Sequence, residues 1–145
     1  MKNFERPEIG TKKSKKPVDS GKEKQEQTSF KILIVDDQAG LYSFGRNKNV
    51  ILAENTTEAE QHLKSGGFDV VLLDGHLDQN DVFENGPDAL THWIEEGVSL
   101  PPVFMMSADE KMQQKGIEAG AKGAIKKSLL HSGDIAEIEK AVKAL

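Results

Sequence analysis

Five side chains suited to metal or phosphoryl chemistry follow apolar runs along this chain. The pair Asp36–Asp37 follows ILIV, and Asp74 ends the run in FDVVLLDG. Ser107 follows PVFMM, and Lys127 follows GAIK. Short apolar runs bounded by glycine or polar residues are typical of strands buried on both faces of a parallel sheet. Because parallel strands bring their carboxyl ends to one edge, we expect these side chains to meet there.

The residue types at this edge favour magnesium and phosphoryl chemistry. Three neighbouring carboxylates repel one another and are pushed toward protonation unless a cation lies between them. Oxygen ligands without histidine or cysteine favour Mg²⁺. A lysine and a hydroxyl beside that ion can hold a phosphoryl group, with Asp74 as the nucleophile. Taken singly, each residue is more often a cap, a turn residue or a solvated cation; the combination favours the chemistry.

The elements that must position these residues alternate along the chain. Strands are predicted at 32–35, 50–53, 70–73, in PVFMMSA and at 122–126, with amphipathic helices after the last four. Residues 38–49 are expected to form a turn or two of helix or a structured loop, with Leu41, Tyr42 and Phe44 as apolar anchors. This alternation predicts an α/β fold with a parallel sheet covered by helices on both faces.

Caps and apolar spacing give further expectations for the helices. Thr56 or Thr57 is expected to cap the helix after the second strand. The core faces of the next two helices are predicted at Leu90, Trp93 and Ile94, and at Met112 with Ile117 or Ala119.

The first 29 residues differ in composition from the rest. They carry eight basic and five acidic residues, including TKKSKK, and few sizeable apolar side chains. Residues 1–29 are therefore predicted to be a disordered basic tail or linker. The total charge of −5 leaves −8 on residues 30–145, which are predicted to form one domain. An acidic domain suits a cation better than nucleic acid or an anionic membrane.

Cysteine and hydropathy exclude other classes of protein. With no cysteine, the chain has neither disulfides nor thiolate metal sites. Its apolar runs are far shorter than the ~20 residues that span a bilayer, and the amino terminus lacks the apolar core of a signal peptide. We therefore expect a soluble, cytoplasmic protein without membrane insertion.

Four blocks, IVDD, VVLLDG, PVFMMSA and AGAKGAIKK, match the signature blocks of a known family. On these blocks, residues 30–145 resemble a receiver domain of two-component response regulators, the CheY-like family. The resemblance implies a flavodoxin-like (βα)5 fold with a doubly wound, five-stranded parallel sheet, here with a first helix that is short or irregular. It implies a phosphoacceptor switch with Mg²⁺-dependent self-phosphorylation and self-dephosphorylation chemistry rather than a turnover enzyme. The implied partners are a histidine kinase or histidine phosphotransfer protein and a downstream protein.

The resemblance also implies a role for each site residue. Asp74 is the phosphoacceptor. Asp37, Asp74 and the backbone carbonyl of His76 bind Mg²⁺, with Asp36 helping through water.

The remaining two roles concern the phosphoryl group. Ser107 is the switch hydroxyl that moves to a phosphoryl oxygen. Lys127 pairs with the phosphate, as counted from Ala119–Gly120–Ala121, and Lys126 is the rival for this role.

Three departures from the family pattern concern signalling rather than the site. Ala124 stands where an aromatic residue is usual, Ser128 replaces a proline that often has a cis peptide bond, and the segment after Asp37 is too short for the usual first helix. These departures favour an alternative, a phosphorylation-independent interaction module with the receiver fold. The side chain of His76 is either a plain exposed loop residue or one that tunes dephosphorylation or access to the site. A hydrolase with an aspartate nucleophile is disfavoured because the chain has no cap insertion.

Overall fold

Five parallel strands form one sheet, and a computed structural model describes them within residues 30–42, 44 and 47–144. The predicted tail, residues 1–29, lies outside the described residues, and its disorder stays a prediction. The strands are β1 (Ile32–Val35), β2 (Val50–Ala53), β3 (Val70–Asp74), β4 (Val103–Met106) and β5 (Gly123–Ile125). The helices are α1 (Thr56–Ser65), α2 (Gly86–Glu95), α3 (Glu110–Ala119) and α4 (Ile135–Lys143), with 3-10 helices at Ala39–Leu41 and Lys127–Ser132.

The strand order is β2-β1-β3-β4-β5, with every neighbouring pair parallel. This is the flavodoxin-like doubly wound order, so the predicted fold is confirmed. β1 and β3 pair with Val35 opposite Leu73, and β3 and β4 pair with Asp74 opposite Met106. The chain segments that follow these three strands therefore leave the sheet at the same edge.

Alternating side chains of the strands build a core on each face of the sheet. On one face, residues such as Ile34 and Leu72 pack with Ile138 of α4. On the other, residues such as Leu33 and Leu73 pack with Leu63 of α1 and with Leu90 and Trp93 of α2. This two-sided burial explains why the strands read as continuous apolar runs.

Two aromatic residues cover the sheet in the segment after β1, where the sequence predicts a short or irregular first helix. Within its described residues, the segment after β1 forms the 3-10 helix Ala39–Leu41 and no α-helix, in line with the expectation of a short or irregular helix. Tyr42 and Phe44 follow it and are 8% and 7% exposed, within the core that contains α4. The aromatic rings thus shield apolar surface that a longer helix would otherwise bury.

Two expectations for the helices were wrong. Asn55, not Thr56 or Thr57, caps α1, and its side chain accepts a hydrogen bond from the Glu58 amide. Ile94 is 49% exposed rather than buried. Of the two alternatives for α3, Ile117 is 44% exposed, whereas Ala119 is partly buried and packs against the core. In α3 the buried position is Gly116 because a Cβ there would lie 2.3 Å from Met105 Cγ, so the helix packs closely on β4. Among the described residues, no helix is both long and apolar enough to cross a membrane.

Candidate functional site

Three carboxyl groups meet where β1 and β3 end. Asp36 and Asp37 follow β1, and Asp74 is the last residue of β3, its neighbour in the sheet. One carboxylate oxygen from each lies within 4.8 Å of the others. The strand pairing alone brings these acids together, although Asp37 and Asp74 are far apart in the sequence.

Asp36 is fully buried, and both its oxygens accept hydrogen bonds. The Gln38 amide donates to Oδ1 at 2.9 Å, and the Tyr42 hydroxyl donates to Oδ2. Lys127 Nζ lies 3.2 Å from the same Oδ2 atom. Burial alone would raise the pKa of Asp36, but the bonds from Tyr42 and Gln38 and the charge of Lys127 outweigh it and hold the pKa below its usual value.

Asp74 is 3% exposed and shares the lysine with Asp36. Its Oδ2 accepts a hydrogen bond from Lys127 Nζ at 3.0 Å, and its Oδ1 accepts one from the His76 amide at 3.1 Å. Burial and the charge of Asp36 nevertheless raise the pKa of Asp74 to about 6. Without a further cation, this carboxylate therefore takes up a proton at a pH well above that of an ordinary aspartate.

Asp37 is exposed and completes the cluster. Desolvation and the neighbouring Asp36 raise its pKa as well. Two carboxyl groups with raised pKa values beside a third that stays ionised form a site that a divalent cation would relieve. The donors are hard oxygen atoms, and the exposed Asp37 leaves room for bound water, so the residues present fit Mg²⁺.

Ser107 and Lys127 reach the cluster from the other side of β3. Ser107 follows β4, is 6% exposed, and its Oγ accepts a hydrogen bond from the Asp109 amide at 3.0 Å. Lys127 follows β5 by two residues. Burial lowers the pKa of Lys127, but its hydrogen bond to Asp74 and the charges of both acids outweigh this and raise it. Lys126, the rival from the sequence, is exposed.

An open cavity of about 390 Å³ lies over the predicted residues. Its lining includes Asp37, Asp74, His76, Ser107 and Lys127. The cavity thus collects a carboxylate with a raised pKa, a hydroxyl and an ammonium group in one place. This set of groups can bind an oxyanion or a metal-bound phosphoryl group.

The loop after β3 brings backbone very close to Asp74. His76 pairs with Asn85 as an isolated bridge, and the Gly86 amide donates to the Gly75 carbonyl at 3.0 Å. A Cβ on Gly86 would lie 2.2 Å from the Asp74 carbonyl oxygen. Only glycine therefore fits at the start of α2 without moving the end of β3.

A larger cavity of about 520 Å³ adjoins the site at Asp37. Glu54, Asp78 and Asp81 are among its lining residues. Asp81 also anchors the loop after β3, because its carboxylate accepts hydrogen bonds from the Thr56 amide, at 2.9 Å, and from the Thr56 hydroxyl. The surface beside the site at Asp37 is therefore strongly acidic, which favours the approach of cations and basic surfaces.

The structure shows where two departures from the family pattern, Ala124 and Ser128, lie in the fold. Ala124 is partly buried on β5 and pairs with Met105. No cis peptide bond occurs among the described residues, and Ser128 lies in the 3-10 helix that begins at Lys127.

Two contacts were not predicted from the sequence. The sequence pattern predicts Tyr42 only as an apolar anchor, whereas its hydroxyl donates a hydrogen bond to Asp36. The exposed side chain of His76 has its Nε2 3.6 Å from Asp109 Oδ2, on the loop that follows Ser107. The sequence offers one signal for the contact between Tyr42 and Asp36. Tyr42 lies six residues after Asp36, in a segment poor in helical signals.

The chain matches one family and a common fold. The sequence profile of the response regulator receiver domain matches residues 32–143. No curated protein sequence matches the chain significantly.

Solved structures share the fold at low sequence identity. One is the N-terminal domain of an uncharacterized protein from Wolinella succinogenes (24% identity, 81% of this chain and 95% of that chain covered, TM-score 0.59). A second is the receiver domain of NtrX from Brucella abortus (22% identity, 79% of this chain and 99% of that chain covered, TM-score 0.57). A third is a CheY-like response regulator receiver domain protein from Methanospirillum hungatei JF-1 (20% identity, 81% of this chain and 96% of that chain covered, TM-score 0.57).

Proposed function

The chain belongs to the family of response regulator receiver domains, and we propose that it is the phosphoacceptor switch of a two-component phosphorelay, with Asp74 as the phosphorylated residue. The phosphoryl donor would be a histidine kinase or a histidine phosphotransfer protein, and the output would be contact with a downstream protein. The proposal includes a cytoplasmic location, because the ATP that phosphorylates such donors is found in the cytoplasm.

The proposed reaction moves a phosphoryl group from a histidine nitrogen to a carboxylate oxygen. An oxygen of Asp74 attacks phosphorus, the phosphorus–nitrogen bond breaks, and the histidine nitrogen keeps the electron pair and is protonated from water. Lys127, whose Nζ lies 3.0 Å from Asp74 Oδ2, would pair with the charge on the phosphoryl oxygens. The Ser107 hydroxyl would donate a hydrogen bond to another of these oxygens.

The acid cluster would hold Mg²⁺. Asp37, Asp74 and the backbone carbonyl of His76 are the proposed ligands. Asp36 would act through water, since Gln38, Tyr42 and Lys127 already occupy both its oxygens. The bound ion would supply charge neutralisation for the phosphoryl oxygens.

The observation that carries the proposal is the position of one lysine between two acids. Lys127 Nζ lies 3.0 Å from Asp74 and 3.2 Å from Asp36. A phosphoryl group on Asp74 would add negative charge there and draw the lysine away from Asp36. Such a shift of a charged side chain would be the first step of a population shift at the sheet edge.

The proposal is tested with beryllofluoride and Mg²⁺, which together mimic a phosphoryl group on aspartate. Amide NMR signals near His76, Ser107 and Lys127 are expected to shift in the wild-type chain. The Asp74→Asn variant, which keeps the shape of the side chain, should show no such shift. A wild-type spectrum that stays unchanged would overturn the proposal.

One observation favours a second function, a phosphorylation-independent interaction module. Ala124 places only a methyl group at the position of β5 where a larger side chain could move together with Ser107. In this case a downstream partner would bind the wild-type chain and Asp74→Asn equally well, with or without a phosphodonor. Binding that requires phosphorylated Asp74 would exclude this function.

A further inference from the structure

Tyr42 is the only tyrosine of the chain, and its two ends contact different parts of the molecule. Its hydroxyl donates a hydrogen bond to Asp36 Oδ2. The centroid of its ring lies 6.4 Å from that of Phe44 in an edge arrangement and 5.3 Å from that of His131. Because His131 lies in the 3-10 helix that begins at Lys127, Tyr42 joins that helix to the acid cluster.

The short helix after β1 is what aims Tyr42 at Asp36. The Asp36 carbonyl accepts a hydrogen bond from the Ala39 amide at 2.9 Å, and its carboxylate accepts one from the Gln38 amide, so Asp36 itself starts the turn. The helix ends at Leu41, and Tyr42, which follows as its C-cap, has extended backbone angles of φ −81 and ψ 145. The backbone leaves the helix there, and the tyrosine ring enters the core instead of following a second helical turn.

The hydroxyl of Tyr42 satisfies a group that would otherwise be short of partners. A fully buried carboxylate is stable only when its oxygens are well hydrogen-bonded. Without the hydroxyl, Lys127 would be the one remaining partner of Asp36 Oδ2 among the described residues, and Asp74 also requires this side chain. Asp36 would then be freer to rotate and would compete more strongly for the lysine.

We propose that Tyr42 is a positioning residue, which acts through Asp36 to fix the acid cluster for Mg²⁺ binding. Its hydroxyl holds the Asp36 carboxylate toward Lys127 and Asp74, so that the charges facing the ion are already arranged before it binds. Groups that orient the acids around a metal typically change its affinity by roughly 10–100-fold. The inference rests on the proposed function, because it concerns the same acid cluster.

The test compares two variants of the full chain. Tyr42→Phe removes the hydroxyl and keeps the ring, and it is expected to weaken Mg²⁺ binding roughly tenfold in isothermal titration calorimetry. Phe44→Leu alters the packing of the same ring without touching Asp36. It is expected to lower the unfolding temperature measured in EDTA and to leave the Mg²⁺ affinity unchanged.

A spectroscopic readout uses the single tyrosine. Carbon-13 labelling of tyrosine Cζ gives one NMR signal, which responds to the hydrogen bond of the hydroxyl. Addition of Mg²⁺ to the wild-type chain is expected to shift this signal. The measurement needs no variant, so it stands even if Tyr42→Phe folds poorly.

The outcomes separate the two proposals. Suppose that the wild-type chain binds Mg²⁺ and is phosphorylated. The role of Tyr42 alone would then be overturned by any of three results: an unchanged Mg²⁺ affinity in Tyr42→Phe, an equal loss of affinity in Phe44→Leu, or a tyrosine signal that does not shift when Mg²⁺ is added. A wild-type chain that binds no Mg²⁺ would overturn the proposed function and the role of Tyr42 together.

Discussion

The Nζ atom of Lys127 lies 3.0 Å from Oδ2 of Asp74, although 53 positions separate the two residues in the sequence. β4 lies between β3, which ends with Asp74, and β5, which Lys127 follows by two residues, so the lysine reaches across the end of β4. The same ammonium group is 3.2 Å from Asp36. One cation therefore compensates two buried acids, and the site retains an excess of negative charge.

Removing the charge of Lys127 should slow phosphorylation strongly. In Lys127→Met the side chain keeps its length but no longer stabilises the developing charge, and we expect about a 100-fold slower reaction with a small phosphodonor. Lys126→Met is the matched control and should react at the wild-type rate, because Lys126 is exposed. Rates are measured by intact mass at fixed Mg²⁺. Equal loss in both variants would contradict the role of Lys127.

The raised pKa of Asp74 predicts a pH-dependent stability in the absence of metal. Because the folded-state pKa, about 6, exceeds the unfolded value of about 3.9, Asp74 contributes stability below about pH 4 that is lost as the pH rises through 6. Asp74→Asn does not titrate. In EDTA, we expect the free energy of unfolding of this variant, relative to that of the wild type, to increase by roughly 1–3 kcal/mol between pH 4 and pH 7.

Urea unfolding followed by the fluorescence of Trp93, the only tryptophan and a fully buried one, measures this difference. Mg²⁺ favours the ionised carboxylate, so the wild-type deficit at pH 7 should shrink when Mg²⁺ is added. A difference between wild type and variant that is the same at both pH values would show that Asp74 titrates normally.

Substitution of Gly86 should disturb the site through the backbone. A Cβ in Gly86→Ala would lie 2.2 Å from the Asp74 carbonyl oxygen, so the end of β3 or the start of α2 has to move. We expect a loss of about 1–3 kcal/mol in urea unfolding, together with slower phosphorylation.

Gly116→Ala provides the comparison for Gly86. Its Cβ would also be crowded, but by the flexible side chain of Met105 in β4 rather than by the backbone of Asp74. It should lose stability without slowing phosphorylation of the folded protein. If Gly86→Ala is phosphorylated at the wild-type rate, the close contact with Asp74 is not needed for the site.

The strands and the site residues at their ends could be predicted because a strand that is buried on both faces appears in the sequence as a continuous apolar run. Val70–Asp74 is apolar until the acid, and the parallel order then brings Asp36, Asp37 and Asp74 together. The choice between Lys126 and Lys127 could not be made from the same signal. Neighbouring residues point in different directions, and only the path of the chain after β5 decides which one meets the acids.

Close packing and polar contacts were beyond the sequence patterns. Ile117 fits a helical apolar face, but Gly116 is the residue that α3 buries, since the helix approaches Met105 too closely for a larger side chain. Tyr42 fits the pattern of an apolar anchor, and its hydrogen bond to Asp36 depends on where a three-residue 3-10 helix ends. Such turn geometry is set by tertiary contacts more than by local propensity.

The most direct test of the phosphoacceptor role is tandem mass spectrometry of the full chain after incubation with phosphoramidate and Mg²⁺. We expect a single phosphoryl group on Asp74, no modification when EDTA replaces Mg²⁺, and none in Asp74→Asn. No modification of the wild-type chain, or an equal mass gain in Asp74→Asn, would contradict the assignment of Asp74 as the phosphoacceptor.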